Sequence, residues 1–81
     1  MNKDDILSFL KKTIANLHDI NEIDINLNST FISLKVDSLE LVELFLEFEK
    51  FYNLPIPDPE VDIRTIGDMV NYLFSCTNEN T

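Results

Sequence analysis

Among 81 residues there is one glycine, Gly67, one cysteine, Cys76, one histidine, His18, and no tryptophan. A single glycine excludes a Gly-rich phosphate loop and argues against a β fold built from hairpins. A single cysteine excludes an internal disulfide and a cysteine-based metal cluster, and it suits a reducing compartment. Basic residues are scarce: six Lys and Arg stand against 15 Asp and Glu, for a net charge of −9. Such a chain is repelled by nucleic-acid phosphate and by anionic membrane surfaces, and it favours partners with basic surfaces. No apolar run approaches the roughly 18 residues of a membrane span, and the charged start Met1-Asn2-Lys3-Asp4-Asp5 does not resemble a signal peptide. The expectation is a cytoplasmic protein without a membrane span.

What is present is the composition of a small folded domain. Hydrophobic residues make up 44% and charged residues 26%, which predicts one domain over residues 1–81. Residues 3–17 have the pattern of an amphipathic helix, with Ile6, Leu10, Thr13 and Leu17 near one stripe, Leu7 and Ile14 beside it, and Asn2 or Asp4 as cap. In residues 18–36, Ile23, Ile25 and Leu27 alternate with polar residues, but no second such run exists to pair with them. This segment is expected to be a long ordered loop whose Ile, Leu and Phe31 side chains plug a helical core. Residues 38–52 form the clearest helix, with Leu41, Leu44, Phe45, Phe48 and Tyr52 on one broad apolar face. Asn53-Leu54-Pro55-Ile56-Pro57 ends it, because neither proline can donate a backbone hydrogen bond and each biases the residue before it away from helix. Asp58-Pro59 predicts the start of a short helix through Ile63. Thr65 and Asp68 have capping-box spacing before a last helix carrying Ile66, Met69, Val70 and Leu73, to about Phe74, followed by a polar tail from Asn78. The fold expected is all-α: a four-helix bundle of three longer helices and one short helix, with a long loop between the first and second. Helices of this length need packing to persist in water.

The chemistry concentrates at Val36-Asp37-Ser38-Leu39-Glu40. Asp37 and Glu40 have capping-box spacing, so Asp37 is the N-cap and Ser38 the first helical residue. Its hydroxyl is then not needed as a cap and faces solvent beside unpaired backbone N–H groups, where a phosphate is electrostatically welcome. The simpler reading is an ordinary helix start. Further along, Glu40, Glu43 and Glu47 fall opposite the apolar face, with Leu39 and Leu46 beside them. Two leucines among acids suit a partner surface, where apolar contact is ringed by steering charge.

Asp37-Ser38-Leu39-Glu40-Leu41-Val42-Glu43-Leu44 closely resembles the D-S-L-[DE]-x-V-E-L signature of acyl carrier proteins. The resemblance continues through Phe51-Tyr52-Asn53-Leu54-Pro55-Ile56-Pro57-Asp58 and through Thr65-Ile66-Gly67-Asp68-Met69-Val70-Asn71-Tyr72-Leu73, and so covers essentially the whole chain. It implies a four-helix bundle with a long first loop. It implies that Ser38, flanked by Asp37 and Leu39, carries 4′-phosphopantetheine through a phosphodiester, installed from coenzyme A by a phosphopantetheinyl transferase. The function implied is that of a non-catalytic, monomeric carrier. It holds acyl groups as thioesters and delivers them to enzymes of fatty acid, polyketide or related biosynthesis. Those enzymes would dock through basic surfaces on Glu40, Glu43, Leu46 and Glu47. The cargo stays open among fatty acyl, polyketide, aminoacyl and D-alanyl groups. Two departures stand out. The family usually has Gly two residues before the Asp of the signature, where this chain has Lys35, and the approach from Phe31 to Val36 is one residue shorter than in common fatty-acid carriers. Both weigh against the housekeeping carrier and leave the attachment residue untouched.

Other patterns carry less. Asp24-x-Asn26-x-Asn28 imitates the start of a calcium loop, but Ser29 and Lys35 stand where such a loop needs Gly and Glu, so no metal site is expected. Glu43 and Glu47 form a carboxylate pair with no cleft implied, and His18 is expected at the surface. Cys76 is expected near a frayed terminus. Phe45, Phe48, Phe51 and Tyr52 are expected in the core. The alternative function is an unmodified acidic helical adaptor or inhibitor that binds one basic protein.

Overall fold

A computed structural model describes the backbone of residues 2–79 and the side chains of residues 2–77. It is all-helical, with α1 at Lys3–His18, α2 at Ser38–Tyr52 and α3 at Ile66–Glu79, plus a 3₁₀ turn at Glu22–Asp24 in the long first loop. Each helix begins on a reciprocal cap. For α1, the Asn2 side chain accepts from the Asp5 N–H at 2.9 Å, while Asp5 accepts from the Asn2 N–H at 3.3 Å. For α3, Thr65 Oγ1 accepts from the Asp68 N–H at 3.0 Å, and Asp68 Oδ2 accepts from the Thr65 N–H at 3.1 Å. α1 and α2 both end on left-handed residues, Asp19 and Asn53. For α2 this means that Asn53, and not Pro55, sets the stop, as the short polar side chain tolerates that conformation.

The core unites all three helices with the loop. Ile6, Leu10 and Ile14 of α1, Leu44 and Phe48 of α2, and Ile66, Met69, Val70, Leu73 and Cys76 of α3 are buried. Ile25, Phe31, Leu34 and Val36 enter from the first loop, and Ile56 from the second. The loop therefore plugs the core as its composition predicts. It is also laced to α3: the Phe31 N–H donates to the Arg64 carbonyl at 3.0 Å and the Ile66 N–H to the Ser29 carbonyl at 2.9 Å. The Gly67 N–H donates to the Leu27 carbonyl at 2.8 Å. A Cβ at Gly67 would stand 3.0 Å from that same oxygen, so the chain spends its single glycine where a loop backbone meets the first turn of a helix.

Several expectations are corrected. The buried stripe of α1 runs Ile6-Leu10-Ile14, and Leu17 is 45% exposed, because successive four-residue steps carry the seam off the Thr13–Leu17 side. Within the alternating loop segment only Ile25 is buried; the 3₁₀ turn rotates Ile23 outward and Leu27 is half-exposed. Residues 54–64 contain no helical turn, so the short helix from Asp58-Pro59 to Ile63 is not among the helices. Three prolines in five residues leave that segment few backbone donors, and it is anchored instead by the Tyr72 hydroxyl, which donates to the Pro57 carbonyl. α3 runs five residues past Phe74, so Asn78 and Glu79 are helical, and Cys76 is buried rather than frayed. The rest of the expected polar tail lies outside the described residues. Phe51 is 70% exposed, on the outer edge of an aromatic cluster with Phe9 and Tyr52.

Candidate functional site

α2 starts at Ser38 because Asp37, in an extended conformation, accepts the Glu40 N–H at 2.8 Å, while Glu40 Oε1 accepts the Asp37 N–H at 3.2 Å. The Leu41 N–H closes the first turn onto the Asp37 carbonyl at 2.9 Å. Capping is thereby complete without Ser38. Its side chain is exposed, and its hydroxyl has no hydrogen-bond partner among the described residues. The N–H groups of Ser38 and Leu39 likewise have no acceptor among those residues and mark the positive end of the helix dipole. The site can receive an anionic group on the hydroxyl.

The approach to the site is strained at one residue. Lys35 has φ 65°, the left-handed conformation for which glycine is the usual choice, and its N–H donates to the Ile32 carbonyl at 3.1 Å. The tight turn then delivers buried Val36, whose N–H reaches the Phe31 carbonyl at 2.9 Å, directly before the cap.

Beside Ser38 lies a cleft of about 510 Å³ lined by Thr30, Phe31, Ile32, Val36, Asp37, Ser38, Leu41, Ile63 and Arg64. It is mostly apolar, with Arg64 as its one basic residue. Sequence reasoning missed Ile32, Ile63 and Arg64 as neighbours of Ser38. They arrive through the backbone bond between Phe31 and Arg64, a long-range contact with no local signal. Asp68, beneath Arg64, has its carboxyl held below the usual carboxylate range, first by the Arg64 N–H and then by the Thr65 N–H that it accepts.

On the outer side of α2, Leu39 is 69% exposed, Leu46 54% and Val42 52%, and Glu43 and Glu47 are exposed with them. Val42 was legible as the i+3 neighbour of Leu39 and completes an apolar stripe. Glu40 differs from the other two acids. Its side chain is only 20% exposed, and beyond the cap its Oε2 lies 2.8 Å from His18 Nε2. That nitrogen is shielded from water and makes no hydrogen bond among the described residues. His18 is thus a half-buried strut between the end of α1 and the start of α2, and not the free surface residue expected. The Asn-rich stretch after Asp24 forms turns: Asn26 accepts the Asn28 N–H at 2.9 Å, so that side chain serves the backbone.

No helix among the described residues is long and apolar enough to cross a membrane. The sequence pattern of the family described as "Phosphopantetheine attachment site" matches residues 8–73. The chain is 39% identical over 72 residues to an acyl carrier protein of Clostridium perfringens strain SM101, which covers 86% of this chain and 95% of that one. It is 36% identical over 72 residues to an acyl carrier protein of Clostridium acetobutylicum, covering 86% and 94%. It is 35% identical over 77 residues to an acyl carrier protein of Lactobacillus acidophilus, covering 93% and 96%.

Proposed function

The chain belongs to the acyl carrier protein family, and on that premise we propose that Ser38 is the residue that bears its 4′-phosphopantetheine. The observation that carries this assignment is the division of labour at the start of α2. Asp37 supplies the cap, so Ser38 keeps an exposed hydroxyl with no bond to give up. In the transfer, Ser38 Oγ forms the new bond to phosphorus, the P–O bond of the coenzyme A pyrophosphate breaks, 3′,5′-ADP leaves with the bridging oxygen, and a phosphopantetheinyl transferase takes the hydroxyl proton. When bound, the group supplies the thiol on which an acyl cargo is held as a thioester. The protein's own residues position the arm and present it; the chain acts as a carrier and its partners as the catalysts.

The partners in this reading are the transferase and acyl-processing enzymes with basic docking surfaces. Glu43 and Glu47 steer them, Leu39 and Leu46 give apolar contact, and Glu40 adds charge while held in the cap. The same reading takes residues 1–81 as one monomeric domain working in the cytoplasm. Incubation with coenzyme A and a broad-specificity transferase, followed by intact mass measurement, tests the assignment. One added phosphopantetheine is expected. A chain that stays at its unmodified mass is instead an acidic helical adaptor.

A further inference from the structure

We propose that α1 shares in partner docking: the groove between α1 and α2 receives the apolar anchor of a basic amphipathic helix on the partner enzymes, held between Leu17 of α1 and Leu46 of α2. The proposal rests on the reading of the chain as a carrier whose partners dock on α2, and it adds a second wall to that surface. α1 packs chiefly against α3, which leaves a groove of about 650 Å³ between it and α2. Thr13 and Leu17 line the groove from α1, and Leu44 and Leu46 line it from α2. Leu44 is buried, but Leu17 is 45% exposed and Leu46 54%. Thr13 brings no free donor, because its hydroxyl donates to the Phe9 carbonyl at 2.8 Å. One apolar side chain seated here would take two half-exposed leucines, on two different helices, out of water together.

The charges along the groove say what covers it. Glu43 and Glu47 line it, both are exposed, and neither side chain makes a hydrogen bond or ion pair among the described residues. Glu49 is instead engaged with the Ile56 N–H at 2.9 Å, and Glu40 with the cap and His18. The free acids of α2 therefore begin at Glu43 and run beside the leucines. Glu43 and Glu47 are four residues apart, which matches two Lys or Arg at the same spacing on one face of a helix. Lys50 follows, exposed and likewise unpaired, and suits an acid or the C-terminal end of that helix. The order acid, acid, base gives the partner helix a direction, with its bases on the side of Ser38. A second copy of this chain is a poor occupant, because two chains of net charge −9 repel. Leu46 lies eight residues beyond Ser38, roughly 12 Å along the helix axis, so a helix in the groove leaves the Ser38 hydroxyl open to the rest of the same enzyme. Leu17 in this role is a contact residue that selects partners by apolar fit, while the two acids set the rate of encounter.

The test is an NMR titration of the methyl-labelled wild-type chain with a broad-specificity phosphopantetheinyl transferase, without coenzyme A so that no modification occurs. The methyl resonances of Leu17 and Thr13 should shift together with those of Leu46. In modification assays, Leu17→Gln should raise KM about fivefold with kcat within about twofold of wild type, and the defect should persist at high salt because apolar contact is what is lost. Leu17→Met keeps an apolar wall and should stay close to wild type. A transferase that shifts Leu39, Val42 and Leu46 but neither Leu17 nor Thr13 overturns the α1 wall and leaves docking on α2 standing. So does a folded Leu17→Gln chain with the wild-type KM; if that variant does not fold, the wild-type titration decides. A wild type that sediments as a dimer, with Leu17→Gln a monomer, gives the groove to a second copy and also overturns the proposal. A chain that neither binds the transferase nor gains mass overturns the carrier reading and this one with it.

Discussion

Asp37 and Ser38 are neighbours with opposite dependence on the fold. Asp37 holds the Glu40 N–H, so Asp37→Ala should cost about 0.5–2 kcal/mol as a lost cap. Ser38 holds nothing, so Ser38→Ala should change stability by no more than about 0.5 kcal/mol. Thermal melts of the two variants, side by side, check the pair; equal losses would mean that Ser38 shares the cap. Lys35 makes the converse case, a residue that the fold tolerates at a cost. Left-handed backbone costs an ordinary residue about 1–2 kcal/mol, part of which glycine returns through the flexibility of its unfolded state. Lys35→Gly should therefore raise stability by roughly 0.5–1 kcal/mol in a denaturant titration. The sequence pointed to this position, since Lys stands there in place of the glycine usual in the family, but only the backbone angle shows that the need for glycine remained. What no residue pattern disclosed was the company of Ser38. Arg64 and Ile32 reach the same cleft through a fold-wide contact, and neither spacing nor composition encodes it.

The three helices were legible because each combines a 3.6-residue apolar period with a cap of recognisable chemistry. Where either signal failed, so did the expectation. The end of α3 was hidden by polar residues, yet Ser75 and Thr77 turn their hydroxyls back to the Tyr72 and Phe74 carbonyls at 2.7 Å and so stay in the helix. Asp58-Pro59 had the chemistry of a helix start but no apolar period behind it. The cap of α3 gives a pH prediction. The folded carboxyl of Asp68 lies below its usual value, so its stabilising bonds are fully present above about pH 4 and are lost as pH falls through the depressed folded value. The stability gap between wild type and Asp68→Asn should be constant near neutrality and should shrink in acid; a gap unchanged down to pH 3 would contradict this. α2 gives another prediction. Reversing Glu43 and Glu47 to Lys should slow modification by the transferase, with a defect that shrinks as salt rises and with helix content unchanged. Leu46→Ala should weaken the same encounter with less salt dependence. As Leu46 is half-exposed, its melting temperature should fall far less than the about 2–5 kcal/mol loss of a core leucine implies.

For the molecule as a whole, a small core, a loop that completes it and a helix start left chemically idle together make a carrier. The loop from 19 to 37 buries four of its apolar side chains and, through its bonds to α3, fixes where α2 begins. The core and the proposed site are thus separated in space: the core holds the bundle, while Ser38 and the outer face of α2 stay exposed. The central claim is that Ser38 alone takes the phosphopantetheine. Wild type and Ser38→Ala, incubated with coenzyme A and a broad-specificity transferase and then digested for peptide mass mapping, test it most directly. The wild type should carry one phosphopantetheine on the peptide containing Ser38, and Ser38→Ala should melt like the wild type and carry none. A folded Ser38→Ala protein that still gains the group, or a wild type that gains it on another peptide, would contradict the account.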